Sequence, residues 1–565
     1  MIKHIIALVI VLNGLTALCQ NFLRTEGKAI VNNDGPVLLR SIGTGNWMIQ
    51  EGYMMQSTSA KVSTHTQFRN KLVETMGEER TNIFYDTWLS NHFTKDDLDF
   101  MKASGFNSIR PALHYKWFTL PIEEEQKDSN GVLQNTWLEK GFVITDSLVS
   151  WCEQNKMYLI LDMHGAPGGQ GTDANISDYD PSKPSLWESE DNKLKLIALW
   201  EKLADRYKDS EWVGGYDIIN EPNWALDGKS HAGCGCKNND ALWDLQQRIT
   251  ERIRSVDKNH IVFLSGNCWG NNYEGFDSHP LRQSDSNMVI SFHKYWNSNS
   301  DKAIENILKM REAYEMPIWL GESGENSNTW FSDCISLMER HNIGWSWWPV
   351  KKSKMNNILK VTTNKDYYRL IESWENNSPL NPDKTFNAVM KYAENHKIEH
   401  CEVAKDVIYA MMEQTNVYTT KPFKEHTINS TILCADYDMG RDGFAYHDTV
   451  SGDYHVDGGN RTGWNNGTFY RNDGVDIGND NGKPYVGWID DGEWMQYTID
   501  VPKTGMYNLE IHSASEELSG VITIEVNDEV FKDKLELPLT HGKTNWQVSK
   551  IENIKLPNGK IKLRF

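Results

Sequence analysis

The chain has 565 residues, which is too long for one hydrophobic core, and we therefore expect two or three domains. Its 39% hydrophobic and 24% charged residues are ordinary for a folded protein and argue against disorder. The formal net charge of −20 makes nucleic acid and anionic membrane surfaces poor partners and favours a neutral ligand.

The N-terminus predicts a secretory signal peptide over residues 1–19. Lys3 precedes an apolar run over residues 5–12, and Ala17-Leu18-Cys19 supplies small residues for cleavage. The run is too short for a membrane span, which needs about 20 apolar residues, and no other run in the sequence approaches that length. Cys19 also fits a lipid anchor, but the leucine before it is bulky for a lipidation motif. We therefore favour secretion without an anchor, into the medium or the periplasm.

The chain contains eight cysteines, and cleavage before Gln20 removes Cys19 and leaves an odd, scattered set. This pattern does not predict a disulfide framework. Cys234-Gly235-Cys236 has no second Cys or His pair nearby, so it is a weak zinc signal. We interpret it as a loop insertion with room for one local disulfide, and we predict no metal site here.

Residues 21–400 alternate short apolar runs with helical segments, which predicts an α/β fold: a (β/α)8 TIM barrel with long loops. The eight predicted strands lie within residues 36–46, 106–115, 157–164, 212–221, 260–266, 288–295, 317–322 and 344–351. Predicted helices include residues 96–104, 136–155, 192–207, 239–256, 301–314 and 333–341. A doubly wound sheet is the alternative, but the glycine-rich phosphate loop expected after an early strand is not seen.

The pattern changes after the barrel. Residues 401–430 are largely polar and predict a linker, although residues 401–412 also carry a helical pattern. Residues 431–565 show short alternating strands, such as 493–499 and 520–526, separated by Gly and Asn turns. This pattern predicts an all-β sandwich of the jelly-roll type.

Polar or aromatic side chains stand at the ends of six predicted barrel strands. They are Arg110, His164, Asn220-Glu221, His293 with Tyr295, Glu322 and Trp348. Each alone has a structural explanation, such as an ion pair, a satisfied core histidine or packing. In a TIM barrel, however, the C-terminal strand ends meet at one face, so six of them favour a binding site.

Glu221 and Glu322 are the residues that select a reaction. Pro222 ends the fourth strand directly after Glu221, and Glu322 ends the seventh, so the two carboxylates are expected to face each other. Hydrolysis of a glycosidic bond uses such a pair, with one protonated and one ionised at neutral pH.

These residues resemble glycoside hydrolase family 5, whose members are retaining barrel enzymes with glutamates at the ends of strands four and seven. The matching motifs lie within residues 40–351. They are Arg110, His164, Asn220-Glu221-Pro222, His293-x-Tyr295, Gly321-Glu322 and Gly344-Trp345-Ser346-Trp347-Trp348. The resemblance implies that Glu221 is the acid/base, that Glu322 is the nucleophile and that catalysis needs no cofactor.

The resemblance also implies roles for the residues around the pair. Asn220 would bind the sugar 2-hydroxyl, and Trp348 would form the floor of the cleavage subsite. His293 and Tyr295 would steady the acid and the nucleophile, and Arg110 would keep the nucleophile ionised. Glu325 is the rival nucleophile, but it lies beyond the turn at Gly324.

Residues 45–51 and 164–170 are similar to segments of the exo-β-1,3-glucanase branch of the family. In that branch the acid matching Glu51, and one near Asp173 after a one-residue gap, hold the terminal glucose. A pocket closed by Glu51 favours attack at chain ends, whereas an open cleft favours internal attack. We rank β-glucan first as substrate, with β-1,3 and β-1,4 linkages both open, then β-mannan, then other β-glycans.

Residues 435–438, 469–476 and 486–494 resemble carbohydrate-binding module family 6. In that family two aromatic rings sandwich a sugar, and Tyr470 and Trp494 match them; packing in the sandwich core is the alternative. Cys434 stands where the family has a glutamate for a structural calcium, while Asp436 remains, so calcium binding is left open. The sequence stops before the glycine-rich last strand and sugar-binding asparagine of the family, so the module is either truncated or incomplete.

We therefore expect a secreted, monomeric, retaining β-glycosidase that acts on a polysaccharide or oligosaccharide. A non-catalytic carbohydrate-binding protein is one alternative, although the presence of both Glu221 and Glu322 argues against it. A transglycosylase, which would use the same residues, is the other.

Overall fold

The computed structural model describes residues 21–295, 297–353, 356–378, 380–415, 417–449 and 469–565. The predicted signal peptide, including Cys19, lies outside these residues. Over the described ranges, no helix has both the length and the apolar content needed to cross a membrane.

Eight parallel strands close into a barrel, as the sequence predicts. They are β1 (Arg40–Gly43), β2 (Ser108–Arg110, continued by Ala112–His114), β3 (Tyr158–Gly165), β4 (Val213–Asp217), β5 (Ile261–Ser265), β6 (Met288–His293), β7 (Ile318–Gly324) and β8 (Gly344–Trp348). Pro111 divides β2 because proline has no N–H to donate to a neighbouring strand. The last strand pairs with the first, with Trp345 opposite Arg40, which completes the closed sheet.

The main helices surround this barrel. They are α1 (His65–Met76), α2 (Glu78–His92), α3 (Lys95–Ala103), α4 (Glu139–Asn155), α5 (Glu190–Tyr207), α6 (Asp240–Val256), α7 (Glu305–Tyr314), α8 (Asn328–Arg340), α9 (Lys365–Glu375), α10 (Pro382–Glu394) and α11 (Lys405–Met412). Thr64 begins α1 with a capping box, in which its hydroxyl accepts from the Gln67 N–H. The pairs α1–α2 and α9–α10 pack on one another as an addition beside the barrel.

A short antiparallel sheet closes the N-terminal end of the barrel. Its strands are Arg24–Glu26, Ala29–Asn32 and Gly35–Pro36. Leu23 and Ile30 from this segment are buried against Ile160, Phe263 and Trp319 from the first halves of the barrel strands. This end is therefore an apolar plug.

The predicted linker contains helix α11, which packs on α8. Val407 and Met411 are buried in the same hydrophobic core as the barrel helices, so this part of the segment belongs with the barrel. The remainder of the predicted linker leads into the C-terminal domain.

The C-terminal domain is rich in β-strands, as predicted. Its longer strands are Trp494–Val501, Gly505–Ser513, Gly520–Val526, Glu529–Leu537, Gln547–Leu556 and Gly559–Arg564. Gly505–Ser513 pairs only with Gln547–Leu556 among the described strands, while the other four form a second sheet. Ile499, Ile524 and Ile554, from both sheets, share one buried core, which is the packing of a sandwich.

Candidate active site

Glu221 lies in the loop after β4. The sequence predicts it at the tip of the strand itself, but β4 ends earlier, at Asp217. Its backbone has a φ of +44°, in the left-handed region that non-glycine residues rarely adopt. Its side chain is 5% exposed, and one carboxyl oxygen lies 2.6 Å from Nδ1 of His293 at the end of β6. The fold therefore holds a strained backbone to aim a buried carboxyl group into the barrel mouth.

The environment of Glu221 favours its protonated form. Burial raises the pKa of this carboxyl group to about 8, and the charges of Asp173 and Asp162 add to the effect of burial, whereas Arg110 opposes it. Burial also lowers the pKa of His293 to about 4, so this imidazole is neutral at pH 7. At neutral pH Glu221 therefore carries a proton that it can donate.

Glu322 on β7 has different partners. One of its oxygens accepts a hydrogen bond of 2.9 Å from Arg110, and the other accepts one of 2.8 Å from the Tyr295 hydroxyl. The pKa of Glu322 is raised above its usual value, chiefly by burial and also by the neighbouring Glu221, while His293 and Arg110 oppose this shift. Because both oxygens accept from groups that stay protonated at neutral pH, the site stabilises the ionised carboxylate.

The two glutamates are close together. One oxygen of Glu221, one of Glu322 and a ring nitrogen of His293 all lie within 4.8 Å of one another. Carboxyl groups lie about 5–5.5 Å apart in retaining glycosidases and about 6.5–9.5 Å apart in inverting ones, so the separation here is nearer to the shorter of the two. The same three groups offer metal-ligand atoms, but the fixed positive charge of Arg110 beside Glu322 disfavours a cation there.

Arg110 is fully buried and links three strands. Its guanidinium lies 3.1 Å from Asp162 on β3 and 2.9 Å from Asp217 on β4, in addition to its contact with Glu322, and it donates to Asn220 at 2.8 Å. Three carboxylates therefore share one guanidinium. Sequence reasoning missed both aspartates, although an acidic residue inside an apolar strand was a signal for them.

His164 lies at the end of β3 and stacks on the ring of Trp348. The two ring centroids are 4.8 Å apart and the planes are 4° from parallel. Nδ1 of His164 lies 2.8 Å from Asp162, and Asn220 approaches Nε2 at 3.4 Å. Burial lowers the pKa of His164 to about 3, so a neutral, stacked imidazole forms this wall of the site.

Gln170 is a second residue that sequence reasoning missed. Its amide nitrogen donates to the backbone oxygens of His164 and Asn220, at 2.7 and 2.9 Å, and its oxygen accepts from the Ala166 N–H. One side chain therefore fixes the ends of β3 and β4 relative to each other. It lies within residues 164–170, which resemble the glucanase branch, but a glutamine in a loop does not by itself indicate this bridging role.

Trp348 and Glu51 line the side of the site nearest β1. A Cβ atom at Gly43 would lie 2.6 Å from the Trp348 ring, so glycine is needed for the ring to pack here. Glu51 is 4% exposed, and burial and the charges of Glu322, Glu325 and Glu221 raise its pKa well above the usual range. One oxygen of Glu51 is buried and has no hydrogen-bond partner among the described residues.

Glu325, the rival nucleophile, is tied to another group. Its carboxylate accepts a hydrogen bond of 2.5 Å from Lys352, and it also faces the hydroxyl of Tyr53. The Tyr53 hydroxyl in turn accepts from the indole N–H of Trp348 at 3.2 Å. Glu325 thus belongs to a polar wall beside Trp348 rather than to the Arg110 network.

A disulfide and backbone contacts support the loop that carries Glu221. Cys234, after β4, is bonded to Cys268, after β5, and not to its near neighbour Cys236. The N–H of Trp269 donates to the backbone oxygen of Pro222 at 3.0 Å. These contacts fix the loop directly after Glu221.

Tyr470 and Trp494, the predicted sugar-binding rings of the module, both have polar partners within it. The Tyr470 hydroxyl contacts Asp436 and accepts from Lys424, which lies 3.0 Å from the same carboxylate. The Trp494 ring lies 4.1 Å from the guanidinium of Arg564. Sugar binding by these rings stays a prediction, as does calcium binding near Asp436.

A TIM barrel with paired glutamates at the C-terminal ends of strands four and seven is the architecture of a glycoside hydrolase. Residues 63–354, just over half of the chain, match the family described as cellulase (glycosyl hydrolase family 5), and residues 467–565 match the carbohydrate binding module (family 6). The chain therefore belongs to glycosyl hydrolase family 5 and carries a family 6 carbohydrate-binding module.

Two curated proteins illustrate the range of relatives. The chain is 27% identical over 388 residues to a β-xylosidase of Phanerodontia chrysosporium, covering 62% of this chain and 75% of that one. It is 23% identical over 260 residues to the probable glucan 1,3-β-glucosidase A of Aspergillus fumigatus, covering 46% of this chain and 56% of that one. It thus spans little more than half the length of this glucosidase.

Similar solved structures include an endoglucanase from Thermotoga maritima and the catalytic domain of a mannanase from Streptomyces sp. SirexAA-E. The first is 17% identical, with a TM-score of 0.36 and coverage of 53% of this chain and 90% of that one. The second is 15% identical, with a TM-score of 0.39 and coverage of 62% and 87%.

Proposed function

We propose that this protein is a retaining β-glycoside hydrolase that cleaves β-glucan-type saccharides by double displacement, with Glu221 as acid/base and Glu322 as nucleophile. The observation that carries the proposal is the contrast between two neighbouring carboxyl groups. Within 4.8 Å of each other, Glu221 is held protonated by burial, whereas both oxygens of Glu322 accept hydrogen bonds, from Arg110 and Tyr295, that favour its ionised form. A double displacement requires this combination.

In the first step Glu322 attacks the anomeric carbon while Glu221 protonates the glycosidic oxygen. The bond between the anomeric carbon and that oxygen breaks, the leaving sugar departs as an alcohol, and a glycosyl ester forms on Glu322. Arg110 and Tyr295 hold the attacking carboxylate in place and stabilise its charge before attack.

In the second step Glu221, now ionised, takes a proton from water. The oxygen of that water attacks the anomeric carbon, the ester bond breaks, and Glu322 is released as a carboxylate. Two inversions at one carbon leave the product with the configuration of the substrate. Glu221 is again protonated and ready for another cycle.

The surrounding residues support binding of a single terminal sugar. Trp348, backed by His164, offers a flat apolar surface for a pyranose ring. The carboxyl group of Glu51, whose raised pKa favours its protonated form and which has one unpartnered oxygen, can form a hydrogen bond with a sugar hydroxyl near both catalytic groups. We propose that these residues favour removal of sugars from chain ends.

A β-xyloside is the second candidate substrate. The relative with 27% identity is named a β-xylosidase, whereas the matches at 23% identity are named glucan 1,3-β-glucosidases. Both names describe removal of one sugar unit, so they agree with the exo mode and differ in the sugar. We place β-glucan first because residues 45–51 and 164–170 are similar to the glucanase segments.

We also propose that the protein is secreted and that its module retains it near polysaccharide, which raises the local substrate concentration. The pattern of residues 1–19 and the Cys234–Cys268 disulfide both suit an oxidising, extracytoplasmic compartment.

The test is hydrolysis of laminarin, β-1,4-glucan, mannan and xylan, together with aryl β-glucoside and aryl β-xyloside, with product lengths followed over time. Glucose released alone from laminarin, with the β-anomer formed first, supports the proposal. A ladder of oligosaccharides would remove the exo mode, and xylose release would favour the second candidate. Transfer to an added acceptor sugar would indicate a transglycosylase, and no hydrolysis of any substrate would refute the proposed function.

A further inference from the structure

The turn Arg471-Asn472-Asp473 of the C-terminal module is buried against the barrel. It lies within residues 469–476, the stretch that resembles the family 6 module, yet all three of its side chains are almost fully inaccessible. The surface that covers it is the loop between β7 and α8, which follows Glu322. A module that served only as a tether would not need to bury polar groups in this position.

Asn472 makes four hydrogen bonds to barrel residues. Its N–H donates to Asp406 at 2.8 Å, and its backbone oxygen accepts from the Asn328 N–H at 2.9 Å. Its side-chain nitrogen donates to the backbone oxygen of Asn326 at 2.8 Å and to the side-chain oxygen of Asn328 at 3.1 Å. One residue of the module thus binds the backbone of the β7–α8 loop, at Asn326, and the first residue of α8, Asn328.

Arg471 and Asp473 connect this contact to the core of the module. Asp473 accepts from the Asn328 side chain at 2.8 Å with one oxygen and from Arg471 at 3.0 Å with the other. The guanidinium of Arg471 lies 3.8 Å from the centre of the Tyr437 ring, in the module core. A second link joins Arg441 of the module to Asp333 of α8 at 2.6 Å. The turn at Asn472 therefore connects the core of the module to the barrel, and both sides of this contact are held by further interactions.

The loop that Asn472 binds is strained and adjoins the site. Gly324 and Glu325 both have positive φ values, of +143° and +56°. Glu325 forms the polar wall with Lys352 described above. Backbone of this kind keeps its conformation only when its surroundings hold it, and Asn326 and Asn328 are the points at which the module holds it.

We propose that the module is a structural part of the active site and that Asn472 is a positioning residue for the β7–α8 loop. By fixing Asn326 and Asn328, it sets the position of Glu325 and of the end of β7 that carries Glu322. This inference rests on the proposed function for its kinetic readout. It differs from tethering because it also affects substrates too small to reach the module.

The test compares wild-type full-length protein with Asn472→Ala on a soluble aryl β-glycoside, at a temperature where circular dichroism shows both chains folded. We expect kcat to fall by about tenfold to a hundredfold with little change in KM, because small displacements of catalytic groups have effects of this size. Asn328→Ala is expected to do the same, and the double variant to be no worse than either one. Asn508→Ala, which removes an exposed asparagine side chain elsewhere in the module, is the matched control and should leave kcat unchanged.

A second readout does not depend on activity. Amide hydrogen exchange over residues 323–328 should be faster in Asn472→Ala than in the wild type and unchanged in Asn508→Ala. If Asn472→Ala does not fold, Asn328→Ser removes the side-chain contacts of Asn328 and keeps its backbone hydrogen bond. Unchanged exchange and unchanged kcat in the folded variant would overturn the inference. If the wild type is inactive on every glycoside, the proposed function is refuted instead. The hydrogen-exchange result would still decide whether Asn472 positions the β7–α8 loop.

Discussion

The two ends of the barrel contain the same strands but very different side chains. The N-terminal end is filled by Leu23, Ile30, Phe263 and Trp319, which belong to one buried apolar cluster. The C-terminal end buries a guanidinium and several carboxyl groups within hydrogen-bond distance of one another. One end therefore follows the ordinary rules of packing, and the other departs from them.

The N-terminal end contributes mainly to stability, and the C-terminal end contains the groups proposed for catalysis. Burying an ion costs several kcal/mol unless partners compensate, and Arg110 supplies compensation for Asp162, Asp217 and Glu322 together. The apolar end needs no such arrangement. Substitutions at the C-terminal end should therefore mainly lower catalytic activity, and substitutions at the N-terminal end should mainly lower the free energy of unfolding.

The largest expected effect comes from Glu221→Gln and Glu322→Gln at the polar end. Each should lower kcat by about a thousandfold or more, because each removes a group that transfers a proton or attacks the substrate. Steady-state kinetics and thermal unfolding check this result. Glu26→Gln, at the apolar end, is the control, and near-normal turnover in either site variant would contradict the assignment.

Leu23→Ala tests the apolar end of the barrel, where we expect an effect on stability and not on catalysis. It should lower the free energy of unfolding by about 2–5 kcal/mol, because it leaves a cavity in the apolar plug, while kcat of the folded enzyme stays unchanged. Denaturant unfolding and kinetics at low temperature measure the two effects. Val143→Ala, at an exposed position of α4, should change neither; a large loss of kcat in Leu23→Ala would show that the two ends are coupled.

Tyr295→Phe tests how Glu322 is kept ionised. The variant removes the hydroxyl that donates to Glu322, so kcat should fall by about tenfold to a hundredfold, as expected for a hydrogen bond to a charged group. The ionised form also becomes less stable, so the pKa of Glu322 rises and the acid limb of the pH–rate profile moves to higher pH. Tyr158→Phe, near the apolar end, is the control, and an unmoved acid limb in Tyr295→Phe would argue against this role.

Asp173→Asn should have the smallest effect. The charge of Asp173 helps to raise the pKa of Glu221 to about 8, and the protonated form is the active acid, so activity is lost as the pH rises through this value. Without that charge the alkaline limb should move to lower pH, by about half a unit, as expected for a partly exposed charge. Asp180→Asn, in the same loop, should not move the alkaline limb. An unchanged pH–rate profile in Asp173→Asn would show that the charge of Asp173 does not affect the pKa of Glu221.

Much of the barrel could be predicted because its signals are local. Each strand is an apolar run, although β4 ends at Asp217, before the stop that Pro222 predicts, and the motifs around Glu221 and Glu322 are specific to a family. The partners of Arg110 were harder to predict. Asp162 and Asp217 lie inside apolar strands, and only closure of the barrel shows that both face the same guanidinium.

The remaining features depend on contacts between distant parts of the chain. Cys234 could be paired with Cys268 only once the loops after β4 and β5 were seen side by side. Asn472 has no local signal for its hydrogen bonds to Asn326 and Asn328, because its neighbours in sequence indicate a sugar-binding module. Helix α11 was partly visible as a helical pattern, but its packing against the barrel was not.

The closure of the barrel has a consequence for folding. Residues 40–42 of β1 pair with residues 345–347 of β8, so one edge of β1 stays unpaired until most of the domain has been synthesised. Such distant pairing is slow, and an unpaired strand edge can associate with other chains. A chain interrupted before β8 therefore has an open sheet as well as an incomplete site, and we expect aggregation to compete with folding most strongly during that interval.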